Sequence, residues 1–394
     1  MKKQTNRPQL RFPEFEGDWE KKKLKEVSTY FNGGSFENDV KEEGKYELIT
    51  LKSVDMSGNL AHSKRYLDIK VPTLSKNTLI MILSEQSPGL LGMTALIPTD
   101  NKYVLNQRVA EIRPNSNVES YFLSMAINRN QNYFSKHGAG TKVQNISKPN
   151  VENYSFLCPS LPEQTKIATF LKAVDEKLQA LKKKKSLLEQ YKKGVMQKLF
   201  SQELRFKDES GEEFSDWEVK KLGGMLIEFS DRDNSNLYEP VSIGKYGIRK
   251  RSEIYSKVLS NDLSKNKVIS KNNLVIGMGS TQIDIGILID DEKYCVSPAY
   301  STFKITGVNS YFLEQYLLQI NKEISKLFMV ISARQGKSVN KDGLLNFNIL
   351  IPSSLEQTKI SNFLGSIDKK IDVIQKKIIK TEGWKKGLLQ KMFV

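Results

Sequence analysis

The chain has 394 residues with 61 basic and 45 acidic side chains, a formal net charge of +16, and an ordinary hydrophobic share of 39%. It is longer than one typical domain and has enough apolar residues for two or more cores. The sequence has no run of 18 apolar residues and no apolar stretch after the basic N-terminus, so we expect neither a membrane span nor a signal peptide. The only cysteines are Cys158 and Cys295, which exclude a disulfide framework or a cysteine zinc site and indicate a cytoplasmic protein.

The chain begins with a short segment, residues 1–19, followed by a first predicted domain over residues 20–158. Trp19 is expected to anchor the entrance to this domain. An alternating apolar run at 46–51 and a short apolar run at 79–82 predict strands, and a helix is predicted to begin at Ser120. Since a last strand is also predicted just before Cys158, the patterns indicate a small mixed α/β domain.

Residues 159–203 form a long predicted helix. Its apolar side chains recur at alternating steps of four and three, which is the spacing of a coiled-coil seam. Pro162 lies in the first turn, where its missing N–H group costs nothing. An ordinary amphipathic helix on a globular core is the alternative interpretation. The apolar seam positions are Ile167, Leu171, Val174, Leu178, Leu181, Leu188, Val195 and Leu199.

The second half of the chain repeats the first with a spacing of 193 residues, and 20 of the 42 positions in 159–200 are identical to those in 352–393. A repeat of this length indicates one unit written twice. A linker over 204–216 leads to a second α/β domain over 217–351, and residues 352–394 form the second helix. Its apolar seam positions are Ile360, Leu364, Ile367, Ile371, Ile374, Ile378, Leu388 and Met392.

The two helical segments are unusually rich in lysine. They carry +11 of the net charge of +16, whereas the region before the first helix carries +5 and the region between the helices is neutral. Such a basic chain favours a polyanionic partner, and nucleic acid is the first candidate. Lys192 and Lys385 occupy one equivalent seam position. There a lysine either sets the helix register or marks the point at which a helix leaves its partner.

The chain lacks sequence patterns of catalysis. The sequence Gln335-Gly336-Lys337-Ser338 resembles the end of a phosphate-binding loop, but Ile331 stands where the first glycine is required. Glu218-Val219-Lys220 resembles half of a nuclease metal site without an aspartate partner on another strand. No Pro-Pro pair or catalytic triad is evident, and the only histidines, His62 and His137, lack ligand spacing. We therefore expect no catalytic residue, metal or cofactor in this chain.

Basic and amide side chains in predicted loops are the candidates for nucleic-acid contact. Arg and Lys suit guanine edges and phosphates, whereas Asn and Gln suit adenine. Several candidates flank a predicted turn at Ser57-Gly58-Asn59 or an equivalent turn at Gly247. Ordinary solvated loop residues are the alternative interpretation of each. The candidates are Lys52, Lys64, Arg65, Gln86, Asn106, Gln107, Arg108, Lys245, Arg249, Lys250, Arg251 and Gln282.

The repeated motifs resemble the specificity subunit of type I restriction–modification systems over nearly the whole chain. The most specific are Glu163-Gln164-Thr165-Lys166-Ile167 and Glu356-Gln357-Thr358-Lys359-Ile360, each opening a helix that carries an aspartate, Asp175 or Asp368. The resemblance implies a mixed α/β fold with two small target-recognition domains. They would be separated by two long helices that form an antiparallel intramolecular coiled coil, with a pseudo-twofold repeat.

The resemblance further implies that each domain recognises one half of a bipartite double-stranded DNA target. The helices would set the spacer and dock two methyltransferase subunits. S-adenosylmethionine, ATP and Mg²⁺ would act in partner subunits of an adenine-specific methyltransferase and ATP-dependent endonuclease. Whether two restriction motor-nuclease subunits join is left open, and no base-contacting residue is implied. A coiled-coil scaffold that recognises no bases, or a stand-alone DNA methyltransferase or nuclease, are the alternatives.

Overall fold

The protein forms two compact units, each containing a segment of both long helices. Unit 1 comprises residues 1–182 and 376–394, and unit 2 comprises residues 183–375. The computed structural model describes residues 6–86, 88–233, 236–244, 247–254, 262–332 and 336–394.

Unit 1 is a mixed α/β domain. Its strands are β1 (Glu20–Lys23), β2 (Ser28–Asn32), β3 (Tyr46–Ile49), β4 (Tyr66–Leu67), β5 (Leu79–Ile82), β6 (Ser84–Glu85), β7 (Thr94–Leu96), β8 (Tyr103–Leu105), β9 (Val109–Pro114), β10 (Gln144–Asn145) and β11 (Ser155–Cys158). Its helices are α1 (Leu24–Val27), α2 (Ser120–Asn128), α3 (Gln131–His137), α4 (Lys148–Glu152), the first part of α5 (Leu161–Phe200) and residues 376–392 of the last long helix, with a 3-10 helix at Glu37–Asp39.

Unit 2 repeats this design and begins with the second part of α5. Its strands are β12 (Glu218–Lys221), β13 (Leu226–Phe229), β14 (Val241–Gly244), β15 (Gly247–Lys250), β16 (Lys267–Ile269), β17 (Asn273–Met278), β18 (Ile283–Ile287), β19 (Tyr294–Val296), β20 (Ser301–Ile305), β21 (Met329–Ser332), β22 (Gly336–Val339) and β23 (Asn348–Ile351). Its helices are α6 (Arg251–Ile254), α7 (Ser310–Gln319), α8 (Asn321–Phe328), α9 (Lys341–Leu345) and the first part of α10 (Ser354–Met392), with a 3-10 helix at Leu222–Met225.

The two units share one sheet topology. The four-stranded sheets have the orders β2-β9-β5-β7 and β13-β20-β17-β18, and all their neighbours are antiparallel. The first strand of each unit pairs with its last, as β1 with β11 and β12 with β23. The units differ beside this scaffold, where unit 1 has a three-stranded sheet, β4-β3-β8, and unit 2 has two pairs, β14-β15 and β16-β19.

Repeated helix starts and strands lie where the sequence predicts them. Helices α2 and α7 begin at Ser120 and Ser310, and each is capped by the preceding side chain, Glu119 or Asn309, which accepts a hydrogen bond from a backbone N–H group. Such a cap satisfies a helix N–H group that has no partner within the helix. The predicted strand at 79–82 is β5, and the last strand, predicted just before Cys158, is β11, which includes Cys158.

Seam residues near the ends of both helices enter the domain cores, whereas Leu181 and Leu188 in the middle of α5 are only half-buried. In unit 1, Leu171 of α5 and Met392 of α10 belong to one buried cluster with Trp19. Each such side chain contributes roughly 1.5–3 kcal/mol on full burial. In unit 2 the same arrangement surrounds Trp217, with Leu199 and Leu364. Both tryptophans are buried, so the anchor role predicted for Trp19 is confirmed and is repeated by Trp217.

The two helices pair in antiparallel orientation within unit 1. Asp175 Oδ1 of α5 lies 2.6 Å from Lys385 Nζ of α10. Further along α5, Lys182 Nζ lies 2.7 Å from Oε1 of Glu382, which comes earlier in α10 than Lys385. The chain directions of the two helices are therefore opposite. The prediction of an antiparallel helix pair is therefore confirmed within unit 1. The pairing connects chain segments that are about 200 residues apart in sequence.

Candidate nucleic-acid interface

An arginine–glutamate pair ties the segment before the first domain to the start of α5. The Nε and Nη2 atoms of Arg11 donate to the two carboxylate oxygens of Glu163 at 2.8 and 2.7 Å, and Trp19 Nε1 donates to the same carboxylate at 3.2 Å. Glu163 is buried, and the bidentate pair offsets the loss of its hydration. The hydrogen bond to Glu163 raises the pKa of the Arg11 guanidinium.

The same clasp occurs in unit 2. Arg205 donates to both oxygens of Glu356 at 3.2 and 2.9 Å, and Trp217 Nε1 donates to that carboxylate at 3.2 Å. The glutamine that follows each glutamate, Gln164 or Gln357, donates to a proline carbonyl and accepts a backbone N–H from the segment before α2 or α7. The repeated Glu-Gln motif therefore holds each domain on its helix, which explains its identity in both copies.

The lysines at equivalent seam positions pair with aspartates of the other helix. Lys385 Nζ lies 2.6 Å from Asp175 Oδ1 in unit 1, and Lys192 Nζ lies 2.7 Å from Asp368 Oδ1 in unit 2. Each aspartate also accepts a hydrogen bond from a tyrosine of helix α2 or α7. Of the two interpretations of these lysines, the structure favours the one in which they set the register of the helix pair.

Arg65 and Asn106 meet on an acidic side chain that no sequence pattern singled out. Arg65 Nη2 lies 2.5 Å from Glu37 Oε2, and Asn106 Nδ2 donates to Glu37 Oε1 at 3.1 Å. These two hydrogen bonds hold the pKa of the Glu37 carboxyl below its usual range. Asn106 is only 4% exposed. Its amide therefore supports the loop in this structure, and among the candidates that the structure describes it is the least accessible to a ligand.

Lys52 and Lys64 lie on either side of the predicted turn at 57–59. Asp55 Oδ1 accepts two backbone N–H groups of this turn at 2.8 and 2.9 Å, and Gly58 has a φ of +76°. A positive φ favours glycine, so the turn prediction is confirmed. Both lysines are exposed, and each presents a cation beside the turn.

Gln86, Gln107 and Arg108 are exposed at one end of the four-stranded sheet of unit 1. Gln86 follows β6, whereas Gln107 and Arg108 immediately precede β9. The backbone joins these places, because Leu83 N donates to the carbonyl of Arg108 at 3.1 Å. The fold thus brings three candidate side chains from separate loops to the same sheet end.

Arg249 is an exposed residue of β15 in unit 2. It lies opposite Ser242 in the β14–β15 pair, and β15 begins at Gly247, whose φ is +77°. The chain therefore turns at Gly247 as predicted. The neighbouring candidate Lys245 lies outside the described residues.

Lys250 and Arg251 make contacts within unit 2. Lys250 Nζ lies 2.9 Å from Glu239 Oε2 and 5.3 Å from the centroid of the Tyr294 ring. The hydrogen bond to Glu239 raises the pKa of Lys250. Arg251 Nε donates to Ser242 Oγ at 3.3 Å. Both cations therefore already have partners within the domain, in contrast to the more exposed Lys52 and Lys64 of unit 1.

Gln282 lies in a tight turn that also contacts β22. Its carbonyl accepts Gly279 N at 3.0 Å, and Lys337 Nζ donates to the carbonyl of Ser280 at 2.5 Å. In the sequence, Lys337 belongs to the motif that resembles the end of a phosphate-binding loop. In the structure Gly336 begins strand β22, and Gln335 of that motif lies outside the described residues. Lys337 is therefore a cation beside Gln282 that sequence reasoning did not select.

The remaining sequence motifs have structural roles. Glu218 and Lys220 pair with each other at 3.0 Å on the exposed strand β12. Cys158 and Cys295 are free and buried, and burial raises the pKa of Cys158 to about 11.

Within the described ranges, no cluster of three His, Cys, Asp or Glu side chains is suited to hold a metal ion. Across that same part of the chain, no helix combines the length and apolarity needed to cross a membrane.

Comparison with known proteins places this geometry in a family. The family model described as the type I restriction modification DNA specificity domain matches residues 16–190 and 214–382. The MjaVIII type I restriction enzyme specificity subunit of Methanocaldococcus jannaschii is 24% identical over 405 residues, covering 96% of this chain and 92% of that protein.

Two solved structures have a similar fold. The S subunit of a type I restriction–modification system from M. genitalium aligns with a TM-score of 0.63 at 17% identity, covering 98% of this chain and 99% of that one. A chain from a structural study of complex assembly and conformational transition in a type I system aligns with a TM-score of 0.51 at 17% identity, covering 95% and 96%. These structures show the same fold. Because the family model matches most of the sequence, the chain belongs to the family of type I restriction–modification DNA specificity proteins.

Proposed function

We propose that this chain is the DNA specificity subunit of a type I restriction–modification complex, in which each unit recognises one half of a bipartite target. One observation carries the proposal beyond family membership. The two units keep the same sheet order and the same Arg–Glu–Trp clasp, but they differ in the loops that carry the exposed cations and amides. A shared scaffold with different loops is expected of two domains with different ligands.

Catalysis is assigned to partner subunits. The repeated clasp and helix start support two equivalent docking places, which would hold two methyltransferase subunits that use S-adenosylmethionine to methylate adenine. Two restriction motor-nuclease subunits using ATP and Mg²⁺ would complete a cleaving complex. The assembly would act in the cytoplasm, where it meets chromosomal DNA.

The rival functions make different predictions. A scaffold that reads no bases binds random and genomic duplexes equally in the presence of its methyltransferase, with a salt dependence set by phosphate contacts alone. A stand-alone methyltransferase transfers methyl groups from S-adenosylmethionine without any partner. Neither rival requires two domains that are alike in their cores and different in their loops, whereas recognition of two different half-sites does.

Sequencing of methyladenine in cells with and without this chain tests the proposal. The expected result is a bipartite motif that is methylated only when the chain is present. Deleting the methyltransferase partner should abolish the same methylation, which separates specificity from catalysis. An unchanged methylation pattern in cells without the chain would contradict the proposed function.

A further inference from the structure

Each unit has a connection between its last two short helices that folds back on itself, as a two-stranded ribbon in unit 2 and through one bridged pair of residues in unit 1. In unit 2, between α8 and α9, β21 pairs in antiparallel register with β22, and Ile331 lies opposite Lys337. In unit 1, between α3 and α4, Ala139 and Asn145 exchange both backbone hydrogen bonds at 2.9 and 2.8 Å. The connections therefore occupy the same place in the chain order of both units.

The unit 2 connection exposes apolar side chains beside a cation, and the unit 1 connection exposes a threonine and a lysine. In unit 2, Val330 is 44% exposed and Ile331 is 69% exposed, beside the exposed Lys337. In unit 1, Thr141 and Lys142 are exposed. Neither connection, 138–146 or 329–339, contains an acidic residue in its sequence, although the region of the chain around the second is neutral overall. Adjacent exposed apolar and cationic side chains are typical of an interaction surface.

The position of each connection relative to the candidate glutamines is also repeated. In unit 1, β10 pairs with β6, and Gln86 is the next residue after β6. In unit 2, Lys337 Nζ reaches the carbonyl of Ser280 at 2.5 Å, within the turn that Gln282 closes. Each unit therefore joins a connection with exposed side chains to a loop that carries a candidate glutamine.

We infer that the β21–β22 ribbon and its shorter counterpart at residues 138–146 contact base edges of duplex DNA, one in each half of the target. The inference rests on the proposed function and names the elements that perform it. A two-stranded antiparallel ribbon fits the major groove of B-DNA, which is about 12 Å wide. There Lys337 suits guanine acceptors, and Ile331 suits the methyl group of thymine.

Different lengths and side chains explain how two equivalent elements select different bases. The connection has 9 residues in unit 1 (138–146) and 11 in unit 2 (329–339), measured between the end of one helix and the cap of the next. Unit 1 offers the Thr141 methyl and hydroxyl groups with Lys142, where unit 2 offers Ile331 with Lys337. The four-stranded sheets of the two units have the same strand order, so the side chains offered to the bases differ while the supporting fold does not.

The test uses the full-length chain in complex with its methyltransferase subunit. Duplex libraries carrying the wild-type methylation motif, randomised one half at a time, are competed for binding. Two independent variants probe unit 2, Ile331→Ser and Lys337→Ala, and two probe unit 1, Thr141→Ala and Lys142→Ala. Lys293→Ala removes an exposed lysine elsewhere in unit 2 and serves as the charge-matched control.

We expect roughly 10-fold weaker discrimination at one or two base pairs of a single half, a different half for each unit. The control variant should keep the wild-type motif, and melting curves should match because the changed side chains are exposed. Unchanged base discrimination in all four variants would overturn the inference. It would also be overturned if the variants lost the same affinity for every DNA sequence and their binding depended less on salt, because that result indicates phosphate contact. A wild-type complex without any preferred motif would instead refute the proposed function.

Discussion

Lys385 Nζ lies 2.6 Å from Asp175 Oδ1, and the two side chains are only 17% and 20% exposed. The pair joins α10 to α5 in unit 1, and Lys192 with Asp368 repeats it in unit 2 at 2.7 Å. A lysine in an apolar seam is costly unless it meets a carboxylate, so only one helix register satisfies the pair. The lysine and aspartate repeated by the duplication thus specify how the two helices align.

Replacing Lys385 with methionine should lower the free energy of unfolding of unit 1 by about 1–3 kcal/mol, because Asp175 loses its cation in a largely buried site. Lys182→Met is the matched control. Lys182 pairs with Glu382 at 2.7 Å, but the side chains are 57% and 47% exposed, so its loss should cost under about 1 kcal/mol. Hydrogen exchange of the α2 amides in urea measures the free energy of unfolding of unit 1 separately from that of unit 2. Equal losses in both variants would contradict the role of burial.

The Arg11 clasp should be among the strongest single contacts of unit 1. Arg11→Ala leaves the buried Glu163 carboxylate with only the Trp19 N–H and should cost about 3–5 kcal/mol. Arg7→Ala breaks an exposed pair with Asp18 and should cost under about 1 kcal/mol. Urea denaturation of both variants gives the comparison. A small effect of Arg11→Ala would mean that water replaces the guanidinium in the clasp.

Alkaline pH should destabilise unit 1 through Tyr121. Burial and the hydrogen bond to Asp175 raise the pKa of the Tyr121 hydroxyl above its ordinary value of 10.0. The folded state keeps this proton after the unfolded chain has lost it, so the stabilisation is full below about pH 10 and declines above it.

The decline should approach about 1.4 kcal/mol per pH unit for this one tyrosine. Tyr121→Phe removes the titration, so its free energy of unfolding should fall less steeply than that of the wild type between about pH 10 and 11. Tyr191→Phe, at an exposed position of α5, provides the control and should follow the wild type. Parallel curves for the wild type and Tyr121→Phe would contradict the assignment.

Arg249 should act in sequence selection by unit 2. Arg249→Ala is expected to weaken binding to the cognate half-site by about 1–3 kcal/mol, with a smaller effect on random duplex. Arg251→Ala is a less direct test, because Arg251 is less exposed than Arg249 and its Nε donates to Ser242 Oγ at 3.3 Å. Competition binding on cognate and random duplexes measures the difference. The same loss on both would assign Arg249 to phosphate contact.

The long helices should determine spacer length without affecting base choice. Inserting four helical residues after Lys183 in α5 and four after the equivalent Lys376 in α10 lengthens both helices by about 6 Å and keeps both Lys–Asp pairs in register. We expect methyladenine sequencing to show a longer spacer between two unchanged half-sites. Changed half-sites with an unchanged spacer would rule out this role of the helices.

The sequence by itself determined the duplicated plan of the protein. The sequence predicts the 193-residue repeat, the seams of α5 and α10, the strands at 46–51 and 79–82 and the buried tryptophans. These features follow from periodicity and repeat spacing, which depend only on neighbouring or equivalent positions in the chain. The family followed from the same motifs. None of these depends on knowing which distant side chains meet.

Tertiary structure alone decided which candidate side chains are accessible and which are engaged. It buried Asn106 against Glu37, paired Lys250 with Glu239, and placed Lys337 beside the Gln282 turn. It also matched Lys192 with Asp368, 176 positions away. Such partners depend on distances through space between remote segments, and neither local periodicity nor residue type encodes those distances.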